Sequence, residues 1–330
     1  MDEEEPNICV LVPGKMIPYA LERLRQHFRT ITIERAEPAL LSEEMKESVK
    51  AVASFGNVGA AFIDALPRLQ IIANFGVGYD SVDAGHAARS GVMVTNTPDV
   101  LTEEVADTTI GLLINTVREL PKAEQYLRDG RWKREGPYPL TRGSLRGRKV
   151  GIYGLGRIGR AIALRLEAFG LPVSYHNRRK VEDVPYTYHS DLLSLAKAVD
   201  TLICVAPGGP ATDRAIDDQI LNALGSDGVF INIGRGATVD EKALAAALKN
   251  GTILAAGLDV YADEPNVPED LLSCPNTCLL PHVGSASVHT REAVANLMID
   301  NLISWFSTGK PLTPVAETTH VMAMTKKGLP

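Results

Sequence analysis

Short apolar segments rich in β-branched residues alternate along the chain with stretches in which apolar residues recur every three or four positions. The first pattern predicts buried strands and the second predicts amphipathic helices. The predicted strands are 8–12, 30–33, 51–54, 69–73, 92–95, 149–153, 173–176, 201–205, 229–232, 253–256 and 278–280. Strands separated by helices predict an α/β protein built on parallel sheets, with helices on both faces of each sheet.

Two long helices interrupt the alternation. One begins at Thr102 and runs to Pro121, and the other spans about 288–306. The segment 130–147 is irregular, and two interpretations stay open: an arm that reaches a partner subunit, or a packed surface loop. Trp132 in this segment either anchors the segment or contributes to a partner's substrate pocket. The last ten or so residues are predicted to form a frayed tail.

Composition and charge narrow the possible functions. The chain has 330 residues, which at roughly 150 residues per domain predicts about two domains. A formal net charge of -6 makes it a poor general binder of nucleic acid or of an anionic membrane. No apolar run approaches the ~20 residues that cross a bilayer, and residues 1–6 lack the features of a signal peptide. The four cysteines lack the spacing of a zinc site, so we expect no metal and reduced thiols in a cytoplasmic protein.

A glycine-rich turn follows the predicted strand 149–153 and precedes an apolar-periodic helix. Its residues fit the pattern Gly-x-Gly-x-x-Gly and are expected to line a cofactor: Gly154, Leu155, Gly156, Arg157, Ile158 and Gly159. Gly154 allows the tight turn, Gly156 lets the backbone approach a pyrophosphate, and Gly159 brings the helix close to the strand. The N–H groups at the start of the helix would bind the phosphates. The pattern in this context predicts a dinucleotide site rather than a turn without a ligand.

The residues after the strand 173–176 indicate which dinucleotide binds. In many such sites an acid at this place binds the ribose hydroxyls, but here Asn177 is neutral and is followed by Arg178 and Arg179. An arginine pair suits a 2′-phosphate, which accepts charge-assisted hydrogen bonds. We therefore predict that NADPH is preferred and that NADH use is possible. The alternative is a solvated basic loop.

Three groups that can carry chemistry follow three later strands. Arg235 comes after 229–232, Glu264 follows 253–256, and His282 follows 278–280. Ligands in open parallel sheets bind beyond the carboxyl ends of the strands, so these side chains are expected to converge near the nicotinamide. Any one of them alone would more often be structural, and their joint placement favours a function.

In these motifs the sequence resembles the NAD(P)-dependent D-2-hydroxyacid dehydrogenases, and most of all the glyoxylate/hydroxypyruvate reductase branch. The resemblance runs over 51–306 and rests on the motifs 74–80, 154–159, 232–236, 257–265 and 282–285. It implies two doubly wound parallel-sheet domains with an interdomain cleft. A flavodoxin-like substrate-binding domain would comprise 1–100 plus 287–330, and a Rossmann NADP-binding domain would comprise 101–286.

The resemblance also implies catalytic roles that agree with the chemistry of a 2-oxo acid. Arg235 would hold the substrate carboxylate and polarise the carbonyl. His282 would protonate the developing alkoxide, and Glu264 would orient the imidazole and favour its protonated form. Val77 and Gly78, in the turn 75–78, would present N–H groups to the substrate carboxylate, and Ser285 would contact substrate or cofactor. The glycines of that turn could equally serve the turn alone.

Further residues are implied to border the cofactor. Asp259 would bind the nicotinamide carboxamide, and Thr102 would either touch the nicotinamide end or cap its helix. The others implied are Ala206, Pro207, Thr212, Ile233, Gly234 and Gly284. The expected function is NADPH-dependent reduction of glyoxylate and hydroxypyruvate to D-2-hydroxy acids by a homodimer.

Two alternatives stay open at the level of sequence. One is a reductase of bulkier 2-oxo acids, such as hydroxyphenylpyruvate or 2-ketogluconate, and the walls near Phe55, Gly56 and Trp132 would make that choice. The other is a cofactor-sensing binding protein, like the transcriptional corepressors related to this family. The acidic net charge argues weakly against the second.

Overall fold

The computed structural model describes residues 8–322, and the predictions made for residues 1–6 and for the C-terminal tail lie outside them. The described part of the chain divides into two compact units. The first comprises the residues up to Leu101 together with those from Ser287 onward, and the second comprises Thr102 to Ala286.

The first unit is built on a five-stranded parallel sheet with the order β2-β1-β3-β4-β5. Its strands are β1 (Cys9–Pro13), β2 (Arg29–Ile33), β3 (Val49–Ser54), β4 (Ile71–Asn74) and β5 (Met93–Thr95). Its helices are α1 (Pro18–His27), α2 (Glu43–Ser48), α3 (Ala60–Asp64), α4 (Ala84–Arg89) and, at the far end of the chain, α13 (Val288–Thr308). β1 and β4 are buried along their whole length, as strands covered by helices on both faces should be.

A fully buried asparagine joins α13 to the edge of this sheet. Asn301 donates to the carbonyl oxygen of Leu297 and to Thr313 Oγ1, and its Oδ1 accepts from the N–H groups of Leu312 and Thr313. Thr313 Oγ1 in turn donates to the carbonyl oxygen of Asn96 at 2.6 Å, just beyond β5. Because all four hydrogen-bonding positions of the amide are used, burying it leaves no unpaired polar atom.

The second unit is built on a seven-stranded parallel sheet with the order β12-β11-β10-β9-β6-β7-β8. Its strands are β6 (Val150–Tyr153), β7 (Val173–His176), β8 (Thr187–His189), β9 (Thr201–Cys204), β10 (Val229–Asn232), β11 (Ala255–Leu258) and β12 (Thr277–Leu279). Its helices are α5 (Thr102–Arg118), α6 (Leu120–Arg128), α7 (Arg131–Glu135), α8 (Arg157–Ala168), α9 (Leu192–Ala198), α10 (Asp218–Leu224), α11 (Glu241–Lys249) and α12 (Glu269–Leu272). The order reverses between β6 and β9, the place where open α/β sheets bind their ligands.

The predicted α/β fold with two parallel sheets is confirmed, but some boundaries differ. β8 was not predicted, because a three-residue edge strand carries too little apolar periodicity. The helix predicted to reach Pro121 ends at Arg118, since Glu119 takes φ +52° and α6 begins directly afterwards. The segment 130–147, predicted as irregular, contains the short helix α7.

A buried arginine holds together the starting ends of three neighbouring strands in the second unit. Arg148 lies two residues before β6, and its Nη1 lies 3.1 Å from the carbonyl oxygens of Asp200 and Asp227, which precede β9 and β10. Nη1 also lies 3.2 Å from the Asp200 carboxylate and from Thr201 Oγ1. The side chain is only 8% exposed. It adds a charged donor at Asp200, whose carbonyl oxygen also accepts from the Val229 N–H and whose carboxylate also accepts from the Lys149 N–H.

We expect Arg148→Met to lower the free energy of unfolding by about 3 kcal/mol, because it removes the charged partner of a partly buried carboxylate and a donor to two carbonyl oxygens at the strand starts. Chemical denaturation measures the loss. The exposed Arg146, two residues earlier, provides a matched control, and Arg146→Met should stay within about 0.5 kcal/mol of the original protein. Equal effects of the two substitutions would contradict this role of Arg148.

Candidate active site

The glycine turn between β6 and α8 is open at one glycine and closed at the other two. Gly154 has φ +106°, and a Cβ there would lie 2.8 Å from the backbone nitrogen of Ala206. A Cβ at Gly159 would lie 2.3 Å from the carbonyl oxygen of Gly154, whereas one at Gly156 would meet nothing within 4 Å. No side chain caps the start of α8. The turn therefore fits a pyrophosphate.

Asn177 holds this turn from the end of β7. Its Oδ1 accepts from the N–H of Leu155 at 2.6 Å, and its Nδ2 donates to the carbonyl oxygen of Leu155 at 3.4 Å. Arg178 and Arg179 follow it and are exposed. The asparagine thus has a structural contact that the sequence did not predict, while the two arginines remain at the surface as candidate phosphate ligands.

The loop after β9 is shaped by the same glycines. The backbone of Ala206 lies against Gly154 on one side and against Gly234 on the other, where a Cβ would lie 2.7 Å from the Ala206 carbonyl oxygen. Thr212 Oγ1 donates to the carbonyl oxygen of Pro207 at 2.6 Å and so closes the loop. Of the residues predicted to border the cofactor here, Ala206 packs against Gly154 and Gly234, and Thr212 is hydrogen-bonded to Pro207.

The backbone of Arg235 is fixed by a buried asparagine at the end of β10. Asn232 Oδ1 accepts from the N–H of Gly234 at 3.1 Å, and Asn232 Nδ2 donates to the carbonyl oxygen of Arg235 at 2.9 Å. Thr238 Oγ1 donates to the same Arg235 oxygen at 2.7 Å. The half-buried guanidinium donates to the carbonyl oxygen of Gly234 at 2.8 Å. Asn232 and Thr238 were not predicted as site residues, although Asn232 is the first residue of the motif 232–236.

Glu264 and His282 form a direct pair, as the sequence predicted they could. His282 Nδ1 lies 2.7 Å from Glu264 Oε2, and the two side chains are 47% and 34% exposed, respectively. The second carboxylate oxygen, Oε1, accepts from the N–H of Tyr261 at 3.0 Å. Because Nδ1 is engaged by the carboxylate, Nε2 is the ring nitrogen left to face a substrate.

The surroundings of Glu264 keep it ionised. Burial raises the pKa of its carboxyl group, but the hydrogen bonds from His282 and Tyr261 and the positive charges of His282 and Arg235 outweigh burial, so the pKa lies below its ordinary value. Arg235 therefore acts electrostatically on the same carboxylate that holds the imidazole. The three predicted catalytic side chains belong to one electrostatic cluster.

Asp259 fixes the loop that carries His282. It is 1% exposed, and its carboxylate accepts from the N–H groups of Val283 and Gly284 at 2.7 and 2.8 Å. Burial raises the pKa of this carboxyl group, and the two hydrogen bonds lower it only in part. His282 itself has φ +53°, a left-handed conformation that non-glycine residues seldom adopt. The predicted contact with the carboxamide stays a prediction, but Asp259 has a second role in orienting the histidine loop.

The residues around Gly284 are closely packed. A Cβ at Gly284 would lie 2.9 Å from Asp259 Oδ2 and 3.2 Å from Ile233 Cδ1. Thr108 Oγ1, from α5, donates to the Gly284 carbonyl oxygen at 3.2 Å. Ser285 is buried beside it. Thr102 is the first residue of α5, and its predicted role is not tested by any contact.

The turn 75–78, in the first unit, has its carbonyl groups engaged. Asn74 Nδ2 donates to the carbonyl oxygens of Gly76 and Gly78 at 3.1 and 2.9 Å, and Asn96 Nδ2 donates to that of Val77 at 2.8 Å. Asn96 is a residue that sequence reasoning missed, since nothing in its surroundings marks it. These hydrogen bonds from the two asparagines fix the conformation of the turn. The role of its N–H groups in binding a carboxylate stays a prediction.

Residues 8–322 contain neither a metal-binding cluster of acidic, His and Cys side chains nor a membrane-spanning helix. No group of three or more His, Cys, Asp and Glu side chains in this part of the chain is placed to hold a metal ion. Within the same range, none of the helices is both long and apolar enough to span a bilayer.

Comparison with known families identifies this arrangement. The model of the D-isomer specific 2-hydroxyacid dehydrogenase, NAD binding domain, matches residues 110–284. The chain belongs to the D-isomer specific 2-hydroxyacid dehydrogenase family. The family prediction is confirmed.

Similar proteins cover almost the whole chain. It is 43% identical to a glyoxylate/hydroxypyruvate reductase from Arabidopsis thaliana, over 94% of this chain and 99% of the relative. It is 48% identical to a hydroxyphenylpyruvate reductase from Plectranthus scutellarioides, over 93% and 99%. Among solved structures, an NADPH-dependent glyoxylate/hydroxypyruvate reductase from Sinorhizobium meliloti, in complex with NADP and malonate, is 58% identical with a TM-score of 0.94, covering 97% of this chain and 99% of that chain.

Two glycine substitutions should separate cofactor binding from folding. Gly156→Ala is expected to leave thermal stability unchanged, because its Cβ meets nothing, but to weaken cofactor binding by blocking the approach of the pyrophosphate. Gly159→Ala should lower both, with a stability loss of about 1–3 kcal/mol from overpacking. Thermal unfolding and a fluorescence titration with the reduced cofactor measure the two effects. Unweakened binding in Gly156→Ala would place the pyrophosphate elsewhere.

Proposed function

We propose that the protein reduces small 2-oxo acids, such as glyoxylate and hydroxypyruvate, to D-2-hydroxy acids with NADPH as the preferred hydride donor. The observation that carries the proposal is the imidazole of His282 held 2.7 Å from the Glu264 carboxylate, with the Arg235 charge acting on the same carboxylate. The names of the relatives from Arabidopsis thaliana and Sinorhizobium meliloti support the same substrates, and the second also supports NADPH.

Each side chain of the cluster supplies one requirement of the reaction. The guanidinium of Arg235 pairs with the substrate carboxylate and polarises the keto group, because its charge is fixed and its donors are planar. His282 donates a proton from Nε2 to the oxygen as the alcohol forms. Glu264 keeps the ring oriented and stabilises the imidazolium. The nicotinamide, when bound, supplies the hydride.

Reduction of bulkier 2-oxo acids is a second candidate, and one exposed side chain favours it. Phe55, directly after β3, is 52% exposed, and its ring stands edge-on to that of Phe75 at 5.3 Å. An exposed aromatic ring held in this way can pack against an aromatic or extended substituent. The relative from Plectranthus scutellarioides is a hydroxyphenylpyruvate reductase.

We also propose the division of labour between the two parts of the chain. Residues 101–286 would bind NADP. Residues 1–100 with 287–330 would bind the substrate, and Val77 and Gly78 would take part in substrate binding. The homodimer and the cytoplasmic location stay predictions from the sequence.

The function is tested by following NADPH absorbance with a panel of 2-oxo acids that includes glyoxylate, hydroxypyruvate and hydroxyphenylpyruvate. We expect turnover of the small acids, and we expect Arg235→Ala to lose most of kcat/KM while still binding NADPH, because the carboxylate loses its charged partner. Activity of Arg235→Ala within a few fold of the original protein would remove Arg235 from this role. NADPH binding without turnover of any acid would favour the cofactor-sensing alternative.

The NADPH preference is tested at the exposed arginines. In the double variant Arg178→Ala with Arg179→Ala, kcat/KM for NADPH should fall by about 10- to 100-fold, because charge-assisted hydrogen bonds to the 2′-phosphate are lost. The value for NADH should be unchanged, since NADH lacks that phosphate. Lys180→Ala, which removes the next exposed cation, is the control for general charge. A preference for NADH in the original protein, or equal losses with both cofactors, would refute the assignment.

A further inference from the structure

A carboxylate outside the predicted site contacts the loop that carries Glu264. Glu241 is the first residue of α11 and is half-buried. Its Oε1 accepts a hydrogen bond from the N–H of Ala262 at 2.9 Å. The neighbouring N–H, that of Tyr261, donates to Glu264 Oε1. Two consecutive N–H groups of one loop are thus bound by two carboxylates, of which only Glu264 touches the histidine.

The same loop is held from a second direction by a glycine. A Cβ at Gly236 would lie 1.8 Å from the carbonyl carbon of Tyr261. The two backbones are therefore so close that only glycine fits at position 236. Gly236 directly follows Arg235, and a single 3-10 turn, Gly236–Thr238, leads from it towards α11. One short segment therefore carries the arginine, packs on the loop through Gly236 and binds the loop through Glu241.

We propose that Glu241 is a positioning residue, which holds the loop 261–264 so that the Glu264 carboxylate stays on the imidazole of His282. The proposal deepens the proposed function, on which its kinetic part rests. Glu241 acts through Glu264, and it fixes that carboxylate relative to the segment that carries Arg235.

The surroundings of Glu241 disfavour the charged form of its carboxyl group. Burial raises the pKa of Glu241, and repulsion from Asp263, Asp240 and Glu264 raises it further, against the hydrogen bond from Ala262. The groups that favour the charged form of Glu264 are His282, Arg235 and the Tyr261 N–H, and the carboxylates of Glu241 and Asp259 repel it. An acid in the first turn of a helix also gains from the helix dipole. Asp218, the exposed first residue of α10, has that gain and lies outside the site, so it isolates the dipole effect.

Two substitutions distinguish contact from charge. Glu241→Gln keeps an oxygen that can accept from the Ala262 N–H, whereas Glu241→Asp keeps the charge on a side chain one methylene shorter. We expect Glu241→Asp and Glu241→Ala to lower kcat by about 10- to 100-fold, the cost of misplacing a reacting group by about 1 Å. KM for the 2-oxo acid should change much less, because Arg235 stays in place. Glu241→Gln and the control Asp218→Ala should stay close to the original protein.

A double-mutant cycle tests whether Glu241 acts through Glu264. In a Glu264→Gln background, Glu241→Asp should add little to the loss of kcat, because the carboxylate that it positions is already gone. Independent, multiplying effects would overturn the proposal, and so would equal losses in Glu241→Gln and Glu241→Asp.

A direct readout needs neither substrate nor turnover. Titration of the Glu264 carboxyl carbon by NMR should show its pKa moving up towards the ordinary value in Glu241→Asp, which keeps the charge at position 241, because the hydrogen bonds that lower the pKa are loosened. In Glu241→Gln it should stay low. If the original protein reduces no 2-oxo acid, the proposed function fails and the titration still decides the role of Glu241. An unmoved Glu264 titration in Glu241→Asp would overturn that role.

Discussion

The parallel register of β10, β11 and β12 is the constraint on which the candidate site depends. Asn232 is aligned with Leu258, and Leu258 with Leu279, so the three strands end side by side. The loops that follow these strands therefore begin at the same edge of the sheet. Arg235, Glu264 and His282 are far apart in sequence, and this alignment brings their side chains close enough to interact.

The edge itself is stabilised by polar groups that are buried and satisfied. Asn232 holds the backbone of Arg235, and Asp259 holds the two N–H groups after His282. Burying the Asp259 carboxylate disfavours its charged form, and His282 takes an uncommon backbone conformation. Free energy is thus spent at the edge to keep an imidazole in one orientation, which is typical of sites that must be preorganised.

The sequence predicted those parts of the molecule in which a local pattern is tied to one conformation. The glycine turn is such a part, since Gly154 and Gly159 each stand where a Cβ would collide with backbone. The pairing of Glu264 with His282 was predictable because both follow neighbouring parallel strands of one sheet. The supporting contacts of Asn96, Thr108 and Glu241 were not, because each depends on a partner brought close by the fold, and a single polar residue in a loop or at a helix start carries no such information.

The double contact between Asn177 and Leu155 bears on attempts to redesign coenzyme choice. The amide both donates to and accepts from the backbone of the glycine turn, and an ionised aspartate could only accept. A carboxylate introduced there to attract ribose hydroxyls would therefore lose the donated contact and loosen the turn that we propose binds the pyrophosphate. The side chains of Arg178 and Arg179 are exposed, so their charge can be changed without disturbing this turn, whereas any change at Asn177 also changes the contacts of the turn.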